Sequence, residues 1–155
     1  MKQLKAGEAA PDFLLEDQDG NRLSLDDFRG KKLLLYFFPR AMTPGCTLQA
    51  QLVRDALGVL RRDGVTAAGI SPDPPVRQKK FDEKHSLGFR LLSDRDHNAA
   101  RAYGAWGEKV MFGQKKAGIV RSAFLLGEDG IILGAWYRIK PVETVPLVRE
   151  LLKQL

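Results

Sequence analysis

The longest unbroken apolar run in the chain, from Leu33 to Phe38, shows no alternation with polar residues. That pattern predicts a central strand over 32–38 that is buried on both faces and ended by Pro39. Beyond it, Leu48, Leu52, Ala56 and Leu60 recur every four residues, and Val53 and Leu57 widen the stripe. The spacing predicts an amphipathic helix that starts near Cys46 and stops at Gly64. The next apolar stretch, 65–71, predicts a second buried strand, and a strand–helix–strand run of this length implies a right-handed crossover between parallel strands.

The flanking segments are weaker but readable. Two short extended pieces over 13–25 surround Asp-Gln-Asp-Gly-Asn, predicting an N-terminal hairpin, and 26–30 reads as a helical turn closed by Gly30. After the second buried strand, Pro72-Asp-Pro-Pro opens a polar helix reaching about His85. A short strand over 88–93 follows, then a helix over 94–103 with Asp94 or Asp96 as N-cap. The segment from Gly104 to Gly118 has no periodicity and is expected to be a mobile loop. Two apolar runs, 119–126 and 131–137, flank Glu-Asp-Gly as a hairpin. Val145, Val148, Leu151, Leu152 and Leu155 mark a closing helix, with Pro146 tolerable only in its first turn. No linker, repeat or low-complexity stretch interrupts the pattern, so 1–155 reads as a single α/β domain.

Composition narrows the function classes. With 155 residues, 44% hydrophobic and 28% charged, the chain has the size and balance of a soluble globular domain. The net charge of +6 raises nucleic acid as a partner, yet the basic residues are scattered in pairs such as Lys31-Lys32 and Lys115-Lys116. No zinc-finger spacing or aromatic-rich RNA-binding strand accompanies them, so they read as a solvated basic surface with no specific nucleic-acid partner. The apolar runs are too short to cross a bilayer, and the N-terminus lacks the apolar core of a signal peptide. The lone cysteine cannot form an internal disulfide, which points to a reducing compartment and a cytoplasmic location.

That cysteine, Cys46, lies in Pro39-Arg-Ala-Met-Thr-Pro-Gly-Cys46, between the central strand and the amphipathic helix. A thiol in the first turn of a helix faces unpaired backbone N–H groups and the positive end of the helix dipole, which favour thiolate. The alternative is a small buried hydrophobe, but Thr-Pro-Gly is a strand-to-helix turn rather than a core sequence. His85 and His97 lie in polar helical segments without hydrolase signature or zinc-site spacing, so they read as solvent-facing, with no metal expected.

Taken together, Pro39-x-x-x-Thr43-x-x-Cys46, Arg121 at the start of the penultimate strand, and Ala10-Pro11-Asp12-Phe13 resemble the peroxiredoxins. The stretches 5–13, 38–47, 69–71 and 92–94 are similar to the bacterioferritin comigratory protein (PrxQ) branch, and the likeness covers nearly the whole chain. It implies a thioredoxin-like fold, with a central mixed sheet flanked by helices and an N-terminal β-hairpin. It also implies a cofactor-free, monomeric thiol peroxidase acting on hydrogen peroxide and organic hydroperoxides. Peroxide reduction needs a thiolate to attack one oxygen while the charge on the departing oxygen is stabilised. The resemblance makes Cys46 the nucleophile and Arg121 the fixed planar cation. Thr43 becomes a hydroxyl that donates to a peroxide oxygen while accepting a hydrogen bond itself, and Pro39 an apolar wall. Each has a plainer reading as well: Thr43 as a helix cap, Pro39 as a strand terminator, Arg121 as a strand-surface charge. Gln49, one turn after Cys46, is a possible hydrogen-bonding support, and Met42, Phe38 and Trp106 are candidates for the pocket wall.

Relatives in this branch often carry a second cysteine five residues after the first, and here that position is Gln51. Five residues of helix separate Cα atoms by roughly 7.5 Å, beyond the ~7 Å that a disulfide spans, so those relatives must unwind locally to close one. This chain has no such partner. A sulfenic acid on Cys46 therefore persists until an external thiol attacks it (thioredoxin, glutaredoxin with glutathione, or a small thiol) or until it pairs with Cys46 of another subunit. Two rival functions remain on the same residues. A thiol-disulfide oxidoreductase would need a cysteine where Thr43 stands, and a non-catalytic redox-sensing module would be oxidised without turnover.

Overall fold

A computed structural model describes residues 2–155. Its centre is a seven-stranded mixed sheet in the order β2-β1-β5-β4-β3-β8-β9. The strands are β1 (Leu14–Asp17), β2 (Arg22–Ser24), β3 (Lys32–Phe37), β4 (Val65–Ser71), β5 (Arg90–Ser93), β8 (Ser122–Leu126) and β9 (Ile132–Tyr137). β3, β4 and β5 pair in parallel, while β8 and β9 on one side and β1 and β2 on the other add antiparallel edges. The helices are α1 (Pro44–Arg62), α2 (Pro75–His85), α3 (Asn98–Ala102) and α4 (Thr144–Lys153). No helix among the described residues is long and apolar enough to cross a membrane.

The unbroken apolar run has the two-sided burial its pattern predicts. Leu34, Tyr36 and Phe38 pack into the core that α1 and α4 share. Leu33, Leu35 and Phe37 pack on the opposite face with Ala99, Ala100 and Tyr103 from the region of α3. Successive strand residues point to opposite faces, so a strand covered on both must be apolar throughout. Gly69, opposite Tyr36 in the β3–β4 ladder, is needed for packing: a Cβ there would stand 2.9 Å from Tyr36 Cζ and 3.1 Å from Phe38 Cε1.

The structure differs from the sequence expectation between residues 94 and 121. The segment from Gly104 to Gly118 is not a loop. It holds a hairpin of β6 (Trp106–Met111) and β7 (Gln114–Ile119) that forms its own two-stranded sheet. Consequently the apolar run 119–126 is split: Ile119 ends β7, and β8 begins at Ser122. The helix expected over 94–103 starts only at Asn98, and its N-cap position is His97 in a left-handed conformation, φ +64°. Asp94 still serves the helix end, because its carboxylate accepts from the backbone N–H groups of Ala99 and Ala100 at 3.1 and 2.9 Å. Burial raises the Asp94 carboxyl above its ordinary range, against those two bonds.

Candidate active site

The site begins where β3 ends. Thr43 is extended (φ −80°, ψ 155°) and Pro44 occupies the first helical position, where its missing N–H costs nothing and its fixed φ suits the helix. Cys46 is thus the third residue of α1, and its backbone N–H is one of the first-turn donors that no helical carbonyl can reach. Met42 just before it is left-handed, φ +72°, a strained conformation for a residue with a side chain. Two residues absent from the sequence reading hold that turn. The buried Asp73 carboxylate accepts from Ala41 N at 2.7 Å, and Arg77 donates to Ala41 O at 2.8 Å while lying 2.9 Å from Asp73. Their spacing of four residues at the start of α2 is the one sequence signal that could have marked them.

Cys46 is 2% exposed. Arg121, in the two-residue link between β7 and β8, reaches it with both terminal nitrogens, each 3.6 Å from Sγ. Of the alternatives open for Arg121, the structure takes the one that faces the helix bearing Cys46. Its place there is set by a chain of buried groups. Arg121 Nη1 donates to Gln49 Oε1 at 2.6 Å, and Gln49 Nε2 donates to Thr144 Oγ1 at 2.8 Å. Gln49 is fully buried and Thr144, at the start of α4, is 1% exposed. Thr144 was not foreseen. Gly45 leaves space for the guanidinium, since a Cβ there would lie 3.3 Å from Arg121 Nη2.

Of the two roles expected of Thr43, only the accepting one is left toward the cleft. Its hydroxyl donates to Arg40 O at 2.7 Å and makes no capping bond, so toward the cleft it offers oxygen lone pairs rather than a proton. Pro39, Thr43, Cys46 and Arg121 all line one cleft of about 580 Å³. Its outer parts include Pro72, His97, Trp106, Lys109, Lys116 and Ile119. Trp106 is therefore a wall residue, whereas Phe38 is fully buried and Met42 packs against the core beneath. The histidines are not solvent-facing as expected; both are half-buried. His97 lies against Trp106 with ring centroids 4.6 Å apart, and His85 packs edge-on against Phe81 at 5.6 Å. Tyr36 is buried with no partner for its hydroxyl among the described residues, and burial, with the charge of Cys46 adding to it, pushes the phenol far up.

Such an arrangement presents one thiol sulfur, two N–H donors fixed in a plane, a hydroxyl acceptor and a lining of apolar and basic side chains, in one cleft. Comparison with known proteins agrees with it. Residues 6–135 match the AhpC/TSA family. The chain is 49% identical to peroxiredoxin Bcp of Escherichia coli over 132 residues, 85% of each chain. The Xanthomonas campestris bacterioferritin comigratory protein, whose trapped intermediate and ligand complexes concern its alkyl peroxide reduction activity, superposes with a TM-score of 0.85. It is 31% identical and the match covers 92% of this chain and 90% of that one. Peroxidoxin BcpB of Mycobacterium tuberculosis superposes with a TM-score of 0.87 at 28% identity, over 99% of both chains. A thioredoxin-like mixed sheet, a lone helix-start cysteine held by an arginine fork, and these likenesses along the chain place it in the AhpC/TSA family, within the Bcp/PrxQ branch of the peroxiredoxins, which are thiol peroxidases.

Proposed function

We propose that residues 1–155 work as one peroxiredoxin domain that reduces hydrogen peroxide and organic hydroperoxides with Cys46 as the peroxidatic nucleophile. The observation that carries this is the convergence of both Arg121 terminal nitrogens on Cys46 Sγ at 3.6 Å. The Cys46 sulfur attacks the nearer peroxide oxygen, and the O–O bond breaks. The second oxygen leaves as water or alcohol after gaining a proton. Arg121 donates to the oxygens as negative charge moves from sulfur to the leaving oxygen. Thr43 Oγ1 accepts the hydrogen bond of the peroxide O–H and so selects its orientation. Pro39 closes the apolar side against water, and Gln49 positions Arg121.

The product is a Cys46 sulfenic acid. Cys46 is the only cysteine of the chain, so an external thiol must restore it. A cysteine that cycles through this state suits a reducing compartment such as the cytoplasm, and the enzyme acts as a monomer, which light scattering during gel filtration would check.

Peroxide consumption with excess dithiothreitol tests the reading. The native chain turns over many times, and after one equivalent of peroxide without thiol the intact mass rises by one oxygen on Cys46. Cys46→Ser abolishes turnover, a loss of at least about 10³-fold. Cys46 left unmodified while peroxide persists would overturn the mechanism; stoichiometric oxidation without turnover would mark a redox sensor instead.

A further inference from the structure

In the β6–β7 hairpin Lys109 stands directly opposite Lys116. Opposed residues in an antiparallel pair share a face with Cβ atoms ~5 Å apart, and like charges there destabilise the pairing. Both line the Cys46 cleft, as do Arg40 and Arg121, and no carboxylate lines it. Among the described residues none of these four cations has a carboxylate within salt-bridge distance. Burial, Arg121 and Arg138 together press the half-buried Lys109 ammonium below its ordinary range, only partly offset by Cys46. An anion seated between the lysines would offset the positive charge that Arg121 and Arg138 place on Lys109 and the like-charge pairing of Lys109 with Lys116. The cleft is also far larger than hydrogen peroxide requires, and Trp106 and Ile119 offer it apolar surface.

We propose that Lys109 and Lys116 form a carboxylate-binding subsite, and that the external thiol regenerating Cys46 is a small anionic thiol held there. This rests on the peroxidase reading above. The size argument comes from burial. Cys46 is 2% exposed and lines the cleft, a placement that admits a small thiol more readily than a thiol carried on the surface of a folded partner. With its carboxylate on the lysines, the thiolate sulfur attacks the Cys46 sulfur. An S–S bond forms and the S–O bond breaks. Hydroxide leaves and takes the thiol's proton as water. A second thiol attacks the outer sulfur of the mixed disulfide, releasing Cys46 thiolate and a small disulfide, so two thiols supply the two electrons.

The test uses Cys46 oxidised by one equivalent of peroxide, with sulfenic acid verified by mass and trapping. Its decay is timed with mercaptosuccinate and 3-mercaptopropionate (anionic), 2-mercaptoethanol (neutral) and cysteamine (cationic). Each rate is divided by that thiol's rate on a small disulfide, which removes intrinsic reactivity. The corrected rates should run anionic over neutral by on the order of tenfold at low salt, with cysteamine slowest. The ratio should fall toward one in high salt and in Lys109→Gln/Lys116→Gln. A flat panel, a ratio untouched by salt and by the double variant, or a thioredoxin that outruns every anionic thiol at equal thiol concentration would overturn the proposal. A parallel arm times Cys46 oxidation by carboxylate-bearing and neutral hydroperoxides. A charge preference confined to that step would assign the subsite to the oxidant and overturn its assignment to the thiol. If peroxide forms no sulfenic acid, the peroxidase reading itself has failed, which a flat panel on a verified sulfenic acid does not imply.

Discussion

The wall of the cleft that carries Cys46 is tied by buried side-chain hydrogen bonds, whereas the wall made by β6 and β7 stands outside the seven-stranded sheet and is largely exposed. On the first wall, Arg121, Gln49 and Thr144 form a hydrogen-bonded chain that orients the guanidinium facing the sulfur. On the second, the strands pair only with each other, and Val110 and Phe112 near the tip are 71% and 98% exposed. Chemistry that depends on tenths of an ångström is placed where groups cannot move. Recognition, which tolerates looser geometry, falls to the exposed wall. Substitutions in the two walls should therefore separate rate and stability from selectivity.

The largest effect is expected at the fixed donor. Arg121→Gln removes the planar pair of charged donors, and the second-order rate with hydrogen peroxide should fall by about 10²–10³-fold, as for loss of an oxyanion donor. Arg121→Lys should recover only part of this, because an ammonium is a point charge without the fork. Stopped-flow oxidation of Cys46 reads both; equal rates for Lys and Arg would show that charge alone suffices.

Next comes the packing beneath the site. In Gly69→Ala the new methyl meets Tyr36 Cζ at 2.9 Å, in a core with no exposed side to yield toward. Overpacking of this kind costs about 2–3 kcal/mol. Urea unfolding should show the midpoint shift, and an unchanged midpoint would mean that Tyr36 can move aside.

A smaller loss should follow Thr144→Val, which keeps the shape but deletes the acceptor of the buried Gln49 amide. Leaving that N–H unsatisfied costs about 1–2 kcal/mol in stability. Because Gln49 also holds Arg121, oxidation should slow several-fold, and Thr144→Ser should restore both. Loss of stability without loss of rate would make Thr144 a packing residue only.

How these features relate to the sequence follows from what each element packs against. β4 lies over 65–71 as expected, and α1 buries Val53, Ala56 and Leu60 of its stripe but leaves Leu48 42% exposed, because the buried face turns toward Cys46 and Gln49 at the start of the helix. β6 and β7 escaped notice because a hairpin paired only with itself, with Gln114 to Ala117 exposed, has no need of alternation. The residues around Cys46 were legible through motif resemblance, since Thr43 and Arg121 are far apart in sequence. Gln49 and Thr144, 95 positions apart, belong to a contact that no local signal encodes. His97 stacks on Trp106, a contact that the polar residues around His97 in sequence do not encode.

The smallest effect should come from the hairpin tip, and it is the sharpest check on the contrast between the walls. Phe112 is 98% exposed, in a left-handed conformation (φ +52°), and is not among the residues lining the cleft. Phe112→Ser removes apolar area that folding never took from water, so stability should change by no more than about 0.5 kcal/mol. Serine also tolerates the turn at least as well, since it is not bulky. The rate of Cys46 oxidation by hydrogen peroxide should stay the same, because neither Arg121 nor Gln49 touches the tip. A fall in that rate comparable to the effect at Thr144 would show that the two walls are mechanically coupled, and that β6 and β7 help to hold the guanidinium on the sulfur.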